Sequence, residues 1–163
     1  MTHQPVIALT FEQSLHQAVA EVNRWRGHCL ELHARLERAV NAALRHWQPE
    51  CPLPQKFADR LKALARLAAA DGPHANKSLV STIDQLQELR SEWRDRLAHA
   101  TSTVHLDQAR DWIWHFSMPR SGGKIDDSGA ITRGDGEELE SRLSKAVNAL
   151  RSQLRKADVP QCC

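Results

Sequence analysis

The chain has 163 residues, of which 41% are hydrophobic and 26% charged, with a formal net charge of +2. That length suits one domain, which buries about 70% of its unfolded surface without disulfide staples. So small a charge argues against a polyanion binder that works by bulk electrostatics, and no apolar run approaches the roughly 18 residues that a membrane span needs.

Tyr is absent and Phe occurs 3 times, while Leu, Ala, Arg, Glu and Gln recur throughout. These are helix formers. Arg outnumbers Lys by 16 to 6, a skew that suits phosphate recognition but that a GC-rich coding bias also produces. The N-terminus lacks a basic patch followed by an apolar core, so the expected location is cytoplasmic, with no membrane partner. Reduced thiols are then expected at Cys29, Cys51, Cys162 and Cys163, whose spacing fits no zinc finger.

Thr10 and Gln13 have the form of a capping box. After them Phe11, Leu15, Val19, Val22, Trp25, Cys29, Leu32, Leu36, Val40, Leu44 and Trp47 recur every three or four residues, which predicts one long amphipathic helix over 10–48, with Gly27 as a place for a kink. Pro49, Pro52 and Pro54 stop it. A second helix over 54–70 turns Leu61, Leu64 and Leu67 to one side and ends at Asp71-Gly72-Pro73. The third, over 76–100, carries Leu79, Ile83, Leu86, Leu89, Trp93 and Leu97 inward and finishes near His99.

Residues 109–134 predict a short β-hairpin or irregular insert. Trp112, Trp114, Phe116 and Met118 alternate with Asp111, Ile113, His115 and Ser117, a period of two, and Trp112 and Trp114 are expected to pack over the open end of a bundle. The stretch from Pro119 to Gly136 reads as a long loop that returns through Ala130-Ile131-Thr132, and its Gly122-Gly123-Lys124 lacks the rest of a phosphate-binding loop. The fourth helix, over 136–157, is expected to be capped by Asp135 with Glu138 and to bury Leu139, Leu143, Val147, Leu150 and Leu154. Residues 158–163 form a tail. The expectation is a single mainly α domain over 1–163, a four-helix bundle with a small insert between the third and fourth helices.

Arg94-Asp95-Arg96-Leu97-Ala98-His99 closes the third helix. An Arg followed by a polar residue, then a His after four intervening positions at a helix end, resembles the HEPN family. The surrounding Arg-Asp-x-Leu-Ala-His is also similar to that family, and the bundle layout matches it loosely. The resemblance implies a HEPN-like four-helix bundle and a metal-independent, cofactor-free endoribonuclease that acts as a homodimer on RNA. It further implies a bacterial toxin or antiphage defence effector with an antitoxin or regulatory partner. His99 would transfer protons, Arg94 would clamp the phosphate, Asp95 would orient the imidazole, and Arg90 and Arg96 would be flanking RNA-binding cations. The alternative is a noncatalytic HEPN-like binding or assembly module, or a helical partner protein.

Spacing alone carries little weight, because Arg26 with His33 and Arg110 with His115 have comparable separations. On a regular helix Arg94 and His99 lie about 140° apart, so a frayed last turn or a second chain must bring them together. Asp95 lies about 40° from His99 and Arg96 about 60°, within reach of the ring. A carboxylate beside a scissile phosphate repels it unless an Arg pairs with it. Cys29 and His33, with His28 adjacent, offer too few ligands for a metal, and the histidines read as partly exposed helix residues. Arg142, Lys145, Arg151, Arg155 and Lys156 read as a solvated face of the last helix.

Overall fold

A computed structural model of the chain describes residues 9–118 and 127–157, with the backbone alone at Ser91 and Glu92. The Gly122-Gly123-Lys124 segment and the Cys162-Cys163 tail lie outside the described residues.

Helix α1 (Phe11–Trp47) begins at the expected capping box. The Thr10 hydroxyl accepts from the Gln13 amide at 3.2 Å, and the Gln13 side chain accepts from the Thr10 amide at 2.9 Å. The helix is unbroken through Gly27 and, at 37 residues, is about 55 Å long. It buries Val22, Trp25, Cys29, Leu32, Leu36 and Val40 along one stripe. Helix α2 (Phe57–Ala69) follows the proline-rich connection. Arg60 holds that connection in place, donating to the carbonyls of Pro54 at 2.6 Å and Gln55 at 2.9 Å, and to Glu37 of α1 at 2.9 Å.

Helix α3 (Lys77–His99) is capped by Asn76, whose side chain accepts from the Leu79 amide at 3.0 Å. One residue later the chain enters β1 (Thr101–Leu106), then β2 (Trp112–Met118) and β3 (Asp127–Thr132). The three form an antiparallel sheet in the order β1-β2-β3. The insert is thus larger than a hairpin and starts earlier than the sequence suggests. Helix α4 (Arg133–Lys156) follows β3 with no connecting residue. Its capping box is Thr132 with Asp135, not Asp135 with Glu138, because the hydroxyl of Thr132, the last residue of the strand, accepts from the Asp135 amide at 3.3 Å while the Asp135 carboxylate accepts from the Thr132 amide at 3.2 Å.

Among the described residues the fold is therefore mainly helical, with four helices and a small sheet. The sheet closes one end of the bundle as expected, with Trp112, Trp114, Phe116 and Ile131 buried against it. Trp25 of α1 lies with its ring 5.4 Å from that of Trp112 and 5.6 Å from that of Trp114. Its indole N–H donates to the Gly136 carbonyl at 2.8 Å, which joins α1 to the first turn of α4. A Cβ on Gly136 would come within 2.5 Å of Trp112, so this approach needs glycine.

Candidate functional site at the end of α3

The last turns of α3 present Arg90, Arg94, Asp95, Arg96 and His99, each in different surroundings. Arg96 is committed to the fold: its guanidinium makes two bonds to the Asp127 carboxylate of β3, at 2.8 and 3.2 Å, with both side chains largely covered. It also lies over the Trp93 and Phe116 rings at 5.0 and 5.4 Å. This fork-to-fork geometry ties α3 to the sheet, so Arg96 is not a simple surface cation for RNA. Arg90 is half-buried, its guanidinium 5.3 Å from the centre of the Phe57 ring of α2.

Arg94, Asp95 and His99 are exposed. Arg94 donates to Asp95 at 3.0 Å. Among the described residues the Asp95 carboxylate bonds to this guanidinium and not to the His99 ring. The adjacent pair cancels charge at the surface, where such a bridge adds little stability.

Helix α3 keeps its hydrogen bonding to the end. The Ala100 amide donates to Arg96 at 3.2 Å. Arg26 of α1 donates twice to the Leu97 carbonyl, at 3.2 and 2.7 Å, and once to Ser102 at 3.3 Å, while its guanidinium lies 5.1 Å from the Trp114 ring. An orphan carbonyl of the last turn is thereby satisfied by a cation at the negative end of the helix. Arg26 thus holds the corner between α3 and β1, and the last turn is helical rather than unwound. Arg94 and His99 therefore stay on different faces of one helix. Within a single chain they do not form one site.

His33 differs from its expected exposure. It is only 8% exposed, and neither ring nitrogen has a hydrogen-bond partner. Burial, reinforced by the positive charges of Arg94 and Arg90, pushes its pKa down to about 4. The ring is neutral near pH 7. The position lies on the same stripe as Cys29 and Leu36, four residues after the one and three before the other. That spacing is the signal that could have found it.

The cysteine cluster offers no metal centre. Cys29 is buried in the core, and burial together with the charge of Glu140 pushes its thiol up to about 12, so it is a poor nucleophile or ligand. His28 Nδ1 lies 2.8 Å from the Glu140 carboxylate on α4. Among the described residues no group of three or more His, Cys, Asp or Glu side chains converges to hold a metal ion. No helix among them is long and apolar enough to cross a membrane.

No family model matches this chain, nor does any curated protein or solved structure.

Proposed function

We propose that the chain is a HEPN-like endoribonuclease that cuts RNA without metal and works as a homodimer. One observation carries this reading: an exposed imidazole and an exposed guanidinium lie close together in sequence at one helix end, yet on different faces of an intact helix. Two copies related by a twofold axis would supply what one lacks. Attack by a ribose 2′-hydroxyl on the adjacent phosphorus needs a base for that hydroxyl and an acid for the departing 5′-oxygen, on opposite sides of the phosphate. His99 of one protomer takes the proton and the partner's His99 delivers one, leaving a 2′,3′-cyclic phosphate and a 5′-hydroxyl. Arg94 holds the non-bridging oxygens where charge builds. Arg90 is a flanking cation, and Arg96 positions the helix end through Asp127.

Purified protein is incubated with mixed RNA in excess EDTA, beside His99→Ala and Arg94→Ala. The expected outcome is cleavage by the unaltered protein and a large loss in both variants. Equal cleavage by all three, or cleavage only when metal is added, refutes the assignment. The Arg94–Asp95 bridge favours a second reading, a noncatalytic RNA-binding module, because the carboxylate neutralises the clamp and repels phosphate. RNA retention that depends on Arg94 with no cleavage under any condition identifies that reading.

A further inference from the structure

The outer face of the sheet carries two imidazoles that the RNA chemistry does not use. His105 of β1 lies opposite Ile113, and His115 of β2 lies opposite Thr103. They are diagonal neighbours on the face turned away from the bundle, since Trp112, Trp114 and Phe116 occupy the inner face. Both histidines are exposed, and their ring centroids stand 4.9 Å apart with the planes at 82°. The two rings contact each other, and no carboxylate lies beside them at the facing register positions.

We propose that His105 and His115 form a binding site for a divalent transition metal of the zinc, copper or nickel class. This site is independent of the RNA reading. With metal–nitrogen bonds of about 2.0 Å, two imidazoles on a tetrahedral ion have ring centres about 5 Å apart. The observed 4.9 Å brings the two rings within reach of one ion once their nitrogens turn toward it. Ligation then needs rotation of two exposed side chains about their own bonds, with the strands left where they are. Imidazole nitrogen selects these ions over magnesium and calcium, which prefer oxygen. The strand pairing fixes the two histidines relative to each other, so the chain does not have to order a loop to assemble the site.

Two protein ligands leave two coordination positions open. Beside His115 lies a shallow depression of about 500 Å³ lined by Thr101, Thr103, Ser117 and Ser128. Water or a small anion can reach the metal from there. With two protein ligands the site is open and exchangeable rather than a closed structural one.

The test titrates the full chain with Zn²⁺, and separately with Cu²⁺, by calorimetry, while the imidazole resonances are followed in the Zn²⁺ series. One saturable site per chain is expected, with the His105 and His115 ring signals shifting together. His105→Ala and His115→Ala should each weaken binding about tenfold or more. If either Ala variant misfolds, His→Thr at the same position keeps strand propensity and removes the ligand. Absence of saturable binding, binding unchanged in both single variants, or equal shifts with Mg²⁺ would overturn the proposal.

Discussion

His33→Leu exchanges a buried imidazole with two unpaired nitrogens for an aliphatic side chain of similar bulk. The folded-state pKa of His33 is about 4, below its ordinary value of 6.5, so the unfolded chain takes up a proton first as pH falls. Stability is then full above pH 6.5, declines between pH 6.5 and about 4, and is level below. Each pH unit in that window costs about 1.4 kcal/mol, so moving from pH 7 to pH 5 removes about 2 kcal/mol through this one group. The variant has no such loss. At pH 7 it also escapes the penalty of two unpaired buried nitrogens, and should match or exceed the parent by about 1 kcal/mol. Urea unfolding of both proteins at pH 7, 6 and 5 measures the difference, since every other titrating group is shared and cancels. Parallel loss of stability in the two proteins would refute the reasoning.

Arg26→Leu should lower stability by about 2 kcal/mol, because it leaves the Leu97 carbonyl without its two charged donors; thermal unfolding checks it. Two glycines on the same bundle should respond in opposite directions. A Cβ at Gly27 meets nothing within 4 Å, so Gly27→Ala should stabilise α1 by up to about 1 kcal/mol. Gly136→Ala would drive a methyl group to 2.5 Å from Trp112 and should destabilise by about 1–3 kcal/mol, read by denaturant midpoints. Asp95→Asn frees Arg94 and removes a charge that repels phosphate, so RNA affinity measured by fluorescence anisotropy should rise, most clearly at low salt.

Much of the bundle is legible in the residues themselves. The stripe from Val22 to Leu44 announces α1, and the alternation of Trp112, Trp114 and Phe116 announces an inward-facing strand. β1 is harder to read, since its inward residues Ser102, Val104 and Leu106 are only half-buried and its outward ones are Thr and His, so neither face is strongly apolar. The start of α4 is shifted because Thr132 ends a strand and caps a helix at once, and both Thr132-x-x-Asp135 and Asp135-x-x-Glu138 fit a capping pattern. At the candidate site, the angular separation of Arg94 and His99 follows from helix geometry. What the pattern could not supply was the employment of each arginine: Arg96 on Asp127 and Arg26 on Leu97 are contacts between residues 31 and 71 positions apart. His33 sits on the buried stripe four residues after Cys29, a position that its polar residue type masks.

The bond from Trp25 to Gly136 spans 111 positions, and it bears on how the chain folds. A bundle built from neighbouring helices forms mostly local contacts and folds quickly, whereas distant contacts slow the search. Here the indole near the middle of α1 gains its hydrogen-bond acceptor only after three strands and the start of α4 have been made. During synthesis from the N-terminus, the apolar side of α1 at that end is covered by β1 and β2 first and is closed only when residue 136 is available. The expected kinetic signature is a late change in tryptophan fluorescence after most helical signal has already formed, because the ring that reports closure belongs to the first helix and its partner to the last.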